Sequence, residues 1–171
     1  MGSGTLHHSG TLHDSGSLHD SRSLHHSRSL HHYGYVVENI DSSVRGFVRS
    51  LALQWDERIY EDPLQRVKVT FLTSCPGEPL IELVEPVGEK SPVRKFLTEK
   101  GGGLHHLCYE AESIETELQL MLSRRAMLVR RPQPAVAFGG RRIAWLLTQE
   151  NLLVELLEGT VASTMPVNLS T

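Results

Sequence analysis

Between Leu30 and Gly159 one pattern is written twice, and that duplication limits the possible folds more than any other feature. Leu30-His31-His32-Tyr33-Gly34-Tyr35 opens the first copy and Leu104-His105-His106-Leu107-Cys108-Tyr109 opens the second. Ile81-Glu82-Leu83-Val84-Glu85 and Val154-Glu155-Leu156-Leu157-Glu158 close them. From His32 to Glu82 is 50 positions (82 − 32) and from His106 to Glu155 is 49 (155 − 106), so the copies stay in register almost throughout. Two copies of such a unit bring their equivalent residues together at a pseudo-twofold axis. Two neutral imidazoles and two carboxylates gathered there form a donor set for a divalent cation.

The 171 residues suit one domain with a full core. A net charge of −3 gives no electrostatic case for nucleic acid or an anionic membrane. No run approaches the roughly 20 apolar residues of a membrane helix, and the amino terminus lacks the apolar stretch of a secretory signal. Cys75 and Cys108 make no disulfide framework and suit a reducing compartment. A cytoplasmic protein is the expectation.

Residues 1–29 repeat the hexad Ser-[Gly/Arg]-[Ser/Thr]-Leu-His-[His/Asp] from Ser3, Ser9, Ser15, Ser21 and Ser27, the fifth unit running into the first strand. One Leu per hexad buries too little apolar area to offset the cost of ordering the segment. A metal-sequestering tail would have this composition. So would a slippage-born extension of the strand start, which is the reading favoured here. The folded unit is expected at 30–160: module one at 30–88, a linker helix at 91–100 and module two at 103–159. Residues 161–171 are small and polar, a terminal tail.

Each module reads β-α-β-β-β. In the first, His31–Val37 is a strand and Asn39 caps a helix whose Val44, Phe47, Val48 and Leu51 share a face. Strands are expected at Trp55–Tyr60, Val67–Leu72 and Leu80–Val84. In the second, His105–Ala111 is a strand, and Ser113 caps a helix carrying Ile114, Leu118, Met121 and Leu122 on one side. Strands follow near Met127–Arg131, Arg142–Leu147 and Leu152–Leu157. Between the modules, Ser91 begins a short capped helix through Leu97. The sheet should therefore have eight strands.

Strand side chains alternate between faces. His31, Tyr33, Tyr35 and Val37 share the bulky face, suited to packing under a helix, as do His105, Leu107, Tyr109 and Ala111. His32, Gly34 and Val36, with His106, Cys108 and Glu110, take the roomier face. His32 and His106 are therefore the candidate ligands. Glu82 and Glu155 stand within apolar runs, where an unpaired carboxylate costs several kcal/mol; a cation removes that cost. Gly34 suits a close approach of its strand to pocket contents or to the neighbouring strand.

The duplicated βαβββ layout resembles the vicinal oxygen chelate superfamily, which includes glyoxalases, extradiol dioxygenases and antibiotic-resistance proteins. His31–Val37, Val67–Leu72, Ile81–Pro86, Ser91-Pro92-Val93, Gly103–Leu107 and Gly139–Ala144 are most similar to the methylmalonyl-CoA epimerase family. The resemblance implies an α+β fold, in which two βαβββ modules pair into a cup-shaped, partly open sheet. It also implies metal ligands His32, Glu82, His106 and Glu155, the set already chosen from strand alternation. Cobalt, nickel, manganese, zinc or iron would suit these donors.

The implied activity is epimerase- or isomerase-like proton transfer α to a carbonyl through a metal-stabilised enolate. The implied partner is a small-molecule substrate, a 2-substituted acyl-CoA thioester such as methylmalonyl-CoA, and the family admits a homodimer. Glu155 would double as catalytic base, and Gln65 and Arg142 would bind substrate. Arg124, Arg125, Arg130 and Arg131 read as surface charge, and Cys108 as a small packing residue. The chain departs from the family at two places. Val67-Lys68-Val69-Thr70 offers no carboxylate on the third strand, and Leu146–Asn151 replaces a longer Gly-rich loop. A glyoxalase-like lyase acting on a glutathione hemithioacetal, and a non-catalytic small-molecule-binding protein of the resistance type, are the alternatives. The intact set of four ligands argues against the second.

Overall fold

The computed structural model describes residues 28–160 and Met1; nearly all of the hexad tract and the tail at 161–171 lie outside the described residues. Module one comprises β1 (Arg28–Val36), α1 (Ile40–Leu51), β2 (Gln54–Trp55), β3 (Tyr60–Asp62), β4 (Val67–Thr73) and β5 (Leu80–Pro86). After α2 (Arg94–Lys100), module two comprises β6 (Gly103–Ala111), α3 (Ile114–Ser123), β7 (Met127–Pro134), β8 (Arg142–Leu147) and β9 (Leu153–Glu158). The sheet order is β2-β4-β5-β1-β6-β9-β8-β7, with β3 also paired to β4. Strands β1 and β6 meet antiparallel at the centre. Each has the last strand of its own module parallel beside it, β5 on β1 and β9 on β6.

The sheet has nine strands rather than eight, because the expected strand Trp55–Tyr60 is broken. Glu57 takes a left-handed conformation (φ 62°), and Asp56 accepts a hydrogen bond from the Arg58 amide at 3.1 Å. Thr70 of β4 secures both flanks: its Oγ1 donates to the Arg58 carbonyl at 2.6 Å and accepts from Trp55 Nε1 at 2.7 Å.

Both large helices start at the expected caps. Asn39 Oδ1 accepts from the Ser42 amide at 2.9 Å and Ser113 Oγ from the Thr116 amide at 3.2 Å, each satisfying an otherwise orphaned helix donor. Helix α1 buries Ile40 and Val44 against Leu72 and Leu83, with Tyr35 and Phe47 packed beside them. Leu51, expected on that face, is 53% exposed where the helix ends at left-handed Ala52. Helix α3 buries Ile114, Leu118 and Met121 against Leu146, Val154 and Leu156. The linker helix begins at Arg94, not Ser91, with no side-chain cap at Val93. Ser91 instead closes a turn, its carbonyl accepting from the Arg94 amide at 3.1 Å. Strand β1 begins at Arg28, two residues inside the expected tail, and Arg28 and Ser29 pair with Ala111 and Glu110 of β6.

With both helices on one face, the other face is left for a site. Asp62 at the end of β3 accepts the Val136 amide, in the turn between β7 and β8, at 3.1 Å. This contact brings the outer parts of the two modules together across that face.

Candidate metal centre

His32, Glu82, His106 and Glu155 lie on four consecutive strands, β1, β5, β6 and β9, at the middle of the sheet. Pairing register explains their convergence. Gly34 is opposite both Glu82 and His106, while its counterpart Cys108 is opposite both Glu155 and His32. The two positions two residues beyond each ligand histidine are thus glycine and cysteine, both small. At Gly34 the ring of His106 occupies the space of a side chain: a Cβ there would lie 1.9 Å from His106 Cε1.

All four side chains are buried, His32 at 0%, Glu82 at 6%, and His106 and Glu155 at 2% exposure. Nε2 of His32 is 3.2 Å from Nε2 of His106. The Glu82 carboxylate is 3.4 Å from each Nε2, and the Glu155 carboxylate is 3.1 Å from His32 and 3.4 Å from His106. One donor atom from each residue lies within 4.8 Å of the other three. Two ligands held about 2.0–2.1 Å from one ion are about 3 Å apart when adjacent, which matches these separations. Oε2 of Glu155 is buried and, although 3.1 Å from His32 Nε2, makes no well-aligned hydrogen bond among the described residues, which leaves an acceptor that a cation would satisfy. The donor set and its spacing fit a divalent metal ion.

The strand alternation expected from sequence breaks at two places, once in each copy. On β1 the β6 pairing steps from Leu30 to His32, leaving His31 as an extra residue; on β6 it steps from His106 to Leu104, leaving His105. These bulges turn both leading histidines from the helix-packed side toward the ligands. His31 Nδ1 lies 2.9 Å from His32 Nδ1, and His105 Nδ1 lies 3.1 Å from His106 Nδ1. With Nε2 turned to a bound ion, each ring would carry its hydrogen on Nδ1 and donate it to the preceding histidine, a bond that would fix its tautomer and orientation.

Burial opposes charge on every member of the cluster, yet mutual attraction prevails in the metal-free state. His32 and His106 are raised above the usual imidazole value by the two carboxylates, and Glu82 and Glu155 are held below the usual carboxylate value by the two imidazoles. His105 is pushed down to about 4, first by burial and then by His106 beside it. Burial pushes the Cys108 thiol up, consistent with a packing residue rather than a nucleophile.

Glu82, His106 and Glu155 open onto a cavity of about 310 Å³, walled by Val67, Val69, Phe138 and Trp145 among others. Phe71 and Phe138 shield the His32 ring, and Trp145 meets His106 edge-on at 4.7 Å between ring centroids. Gln65 also lines this cavity.

Arg142 does not line it, which corrects the expected substrate-binding role. Ile143, the next residue along β8, lines the cavity, so alternation turns Arg142 away. Its guanidinium is held by Glu158, at 3.0 Å through Nε and more closely through Nη2, and by Glu115 at 2.7 Å. The cationic residue at the cavity is Arg130, which sequence reasoning assigned to the surface. Register shifts flank it on β7, between Leu128 and Arg130 and between Arg130 and Gln133. Such bulges re-aim a side chain without any mark in hydrophobic periodicity.

The glyoxalase/bleomycin resistance protein/dioxygenase superfamily model matches residues 31–145. The chain belongs to that superfamily. Within it, the chain is 34% identical over 113 residues to the uncharacterised protein YqjC of Bacillus subtilis, covering 65% of this chain and 76% of that protein. It is 33% identical over 99 residues to an ethylmalonyl-CoA/methylmalonyl-CoA epimerase of Cereibacter sphaeroides, covering 56% of this chain and 72% of the relative. A solved structure of a hypothetical protein from Bacillus halodurans C-125 superposes with a TM-score of 0.70 at 32% identity, covering 78% of this chain and 96% of that one. The vicinal oxygen chelate fold inferred from the duplicated sequence is therefore the observed one. Among the described residues no helix is long and apolar enough to cross a membrane.

Proposed function

We propose that this superfamily member is a metal-dependent epimerase or isomerase moving a proton on the carbon α to a carbonyl, with a 2-substituted acyl-CoA thioester such as methylmalonyl-CoA as substrate. The observation carrying the reading is the set of four buried donors, supplied by matching places in two copies, three of which open on one cavity. Similarity to the Cereibacter sphaeroides epimerase supports the acyl-CoA class.

When bound, a divalent cation supplies Lewis-acid stabilisation of the negative charge that develops on a carbonyl oxygen as the α-proton leaves. The protein's own groups do the rest. His32, Glu82, His106 and Glu155 hold the ion, and His31 and His105 orient the two imidazoles. Glu155 lines the cavity and is the proton acceptor in this reading, through the carboxylate oxygen that the ion would leave free. Val67, Val69, Phe138 and Trp145 give the site an apolar wall, which strengthens the electrostatic contacts beside it.

The test is α-proton exchange in deuterated water, followed by NMR on metal-loaded protein supplied with methylmalonyl-CoA. Deuterium should enter the α-position with the wild type and fail to enter with His106→Ala, whose fold is checked by circular dichroism. Metal content is compared between the same two proteins, so that ions held by the hexad tract cancel. Wild-type protein holding one ion but exchanging no α-proton would reject the thioester reaction.

A further inference from the structure

We infer that Arg130 and Gln65 form an anion-binding subsite in the cavity wall, reading an anionic oxygen group that the substrate carries in addition to its reacting carbonyl. The inference deepens the epimerase reading and rests on it for the identity of the substrate.

Gln65 is 8% exposed and lines the cavity. Its Oε1 accepts from Arg130 Nη1 at 2.9 Å, and since a guanidinium only donates, the amide orientation is fixed by this contact. The Nε2 end is then left buried without a hydrogen-bond partner among the described residues. Leaving a buried donor unmade is costly, so such a group points to a missing acceptor.

Arg130 lines the same cavity and is only partly exposed. Its one side-chain partner among the described residues is this neutral amide; none of their carboxylates pairs with it. Asp62, a carboxylate of the same wall, is engaged elsewhere. It accepts the amides of Leu64 and Gln65 at 2.9 Å each and that of Val136 at 3.1 Å. A cation without a counter-ion and an amide N–H without an acceptor, joined to one another and facing one cavity, together suit a carboxylate or a phosphate. The guanidinium would supply charge and paired donors, and the Gln65 amide a further donor. The other arginines of the region lack this freedom. Arg141 is bound to Glu110 at 2.7 Å and to the Glu158 carbonyl at 3.1 Å, while Arg142 is taken by Glu158 and Glu115.

An acyl-CoA could present such a group as a free carboxylate on its acyl part or as a phosphate on its carrier, and two probes separate these sources. Full-length, metal-loaded protein is titrated calorimetrically with malonyl-N-acetylcysteamine, which has the carboxylate and no phosphate, and with coenzyme A, which has phosphates and no acyl carboxylate. Arg130→Met should weaken one of them about tenfold or more at unchanged metal content. Loss on the first probe assigns the carboxylate, and loss on the second the phosphate. Gln65→Glu places a carboxylate against Arg130 from within and should weaken the same probe without removing the arginine. Equal affinities in wild type and both variants, or no binding of either probe by the wild type, would overturn the subsite. A wild type that binds through Arg130 but exchanges no α-proton rejects the epimerase reading and leaves the subsite standing. The reverse pattern, with Arg130→Met retaining both affinity and exchange, removes the subsite alone.

Discussion

His106 sits in the space that Gly34 leaves empty: a Cβ on Gly34 would lie 1.9 Å from His106 Cε1 and 2.3 Å from Nε2. No contact that short survives, and the ring cannot move without dragging Nε2 from the centre. Gly34→Ala is therefore expected to abolish stoichiometric metal binding while costing about 1–3 kcal/mol of stability, the usual range for overpacking. Elemental analysis and thermal melts check this together. A variant that keeps one tightly held ion would show that the ring is not confined by Gly34.

The ligand cluster sets opposite pH dependences for the metal-free and metal-loaded protein. Without metal, the imidazoles of His32 and His106 are raised above 6.5. The stability they contribute is complete below 6.5 and lost as pH rises through their elevated folded values. The carboxylates of Glu82 and Glu155 are lowered from 4.5, so their contribution is present above 4.5 and lost as pH falls through the depressed values. Both contributions coexist between about pH 4.5 and 6.5; His31 and His105, held below 6.5 by burial, take up protons on unfolding in that range, so chelator-treated protein should have its highest Tm at the upper end of the window. Metal needs the imidazoles deprotonated, so its added stabilisation should grow as pH rises above that window. Melts from about pH 5 to pH 9 with chelator and with saturating cobalt should diverge. A metal-free Tm that climbs steadily to alkaline pH would contradict the assigned directions.

His31 and His105 lie 2.9 and 3.1 Å from the Nδ1 atoms of His32 and His106, and neither belongs to the four-residue donor set. Partners of this kind orient a ligand and raise its basicity, and losing one costs about 10–100-fold in metal affinity. His105→Phe keeps the aromatic contacts with Phe96 and Trp145 but cannot accept from His106. Its cobalt affinity, measured by competition with a chelator, should fall within that range while the far-ultraviolet circular dichroism stays unchanged. Affinity equal to wild type would make the bulged histidines mere packing.

The order of elements was legible because hydrophobic periodicity and capping residues report local backbone, and both helices begin at Asn39 and Ser113 as those residues predict. The convergence of the four donors was legible because duplication repeats chemistry at a fixed spacing. What could not be read were departures from period two. His31 and His105 alternate with the ligands in sequence yet share their side of the sheet, because a bulge in each copy resets the count. Arg130 lies between two further register shifts and turns into the cavity, while Arg142, on a regular strand, turns away to Glu158 and Glu115. The break at Glu57 was hidden likewise, since a positive φ at a non-glycine residue leaves little trace in composition.

Asp62 divides its two oxygens between two tasks, and one substitution can separate them. Oδ1 accepts from the amides of Leu64 and Gln65, shaping the turn that carries Gln65, and Oδ2 accepts from the Val136 amide of the opposite module. Asp62→Ala leaves these amides unsatisfied, two of them at residues that line or adjoin the cavity. It should destabilise the fold by about 1–3 kcal/mol, chiefly the cost of stranding the buried Gln65 amide. Asp62→Asn keeps one carbonyl oxygen for the local turn, but its NH₂ group cannot accept from Val136. The turn should survive and the link between modules should not. Phe138, which stacks on His32 at 5.9 Å, sits at the end of the freed 3₁₀ turn Val136–Phe138. Hydrogen exchange in Asp62→Asn should therefore speed up at 136–138 while the Gln65 amide stays protected. Equal acceleration at both places would mean that the two oxygens support a single unit rather than a turn and a clasp.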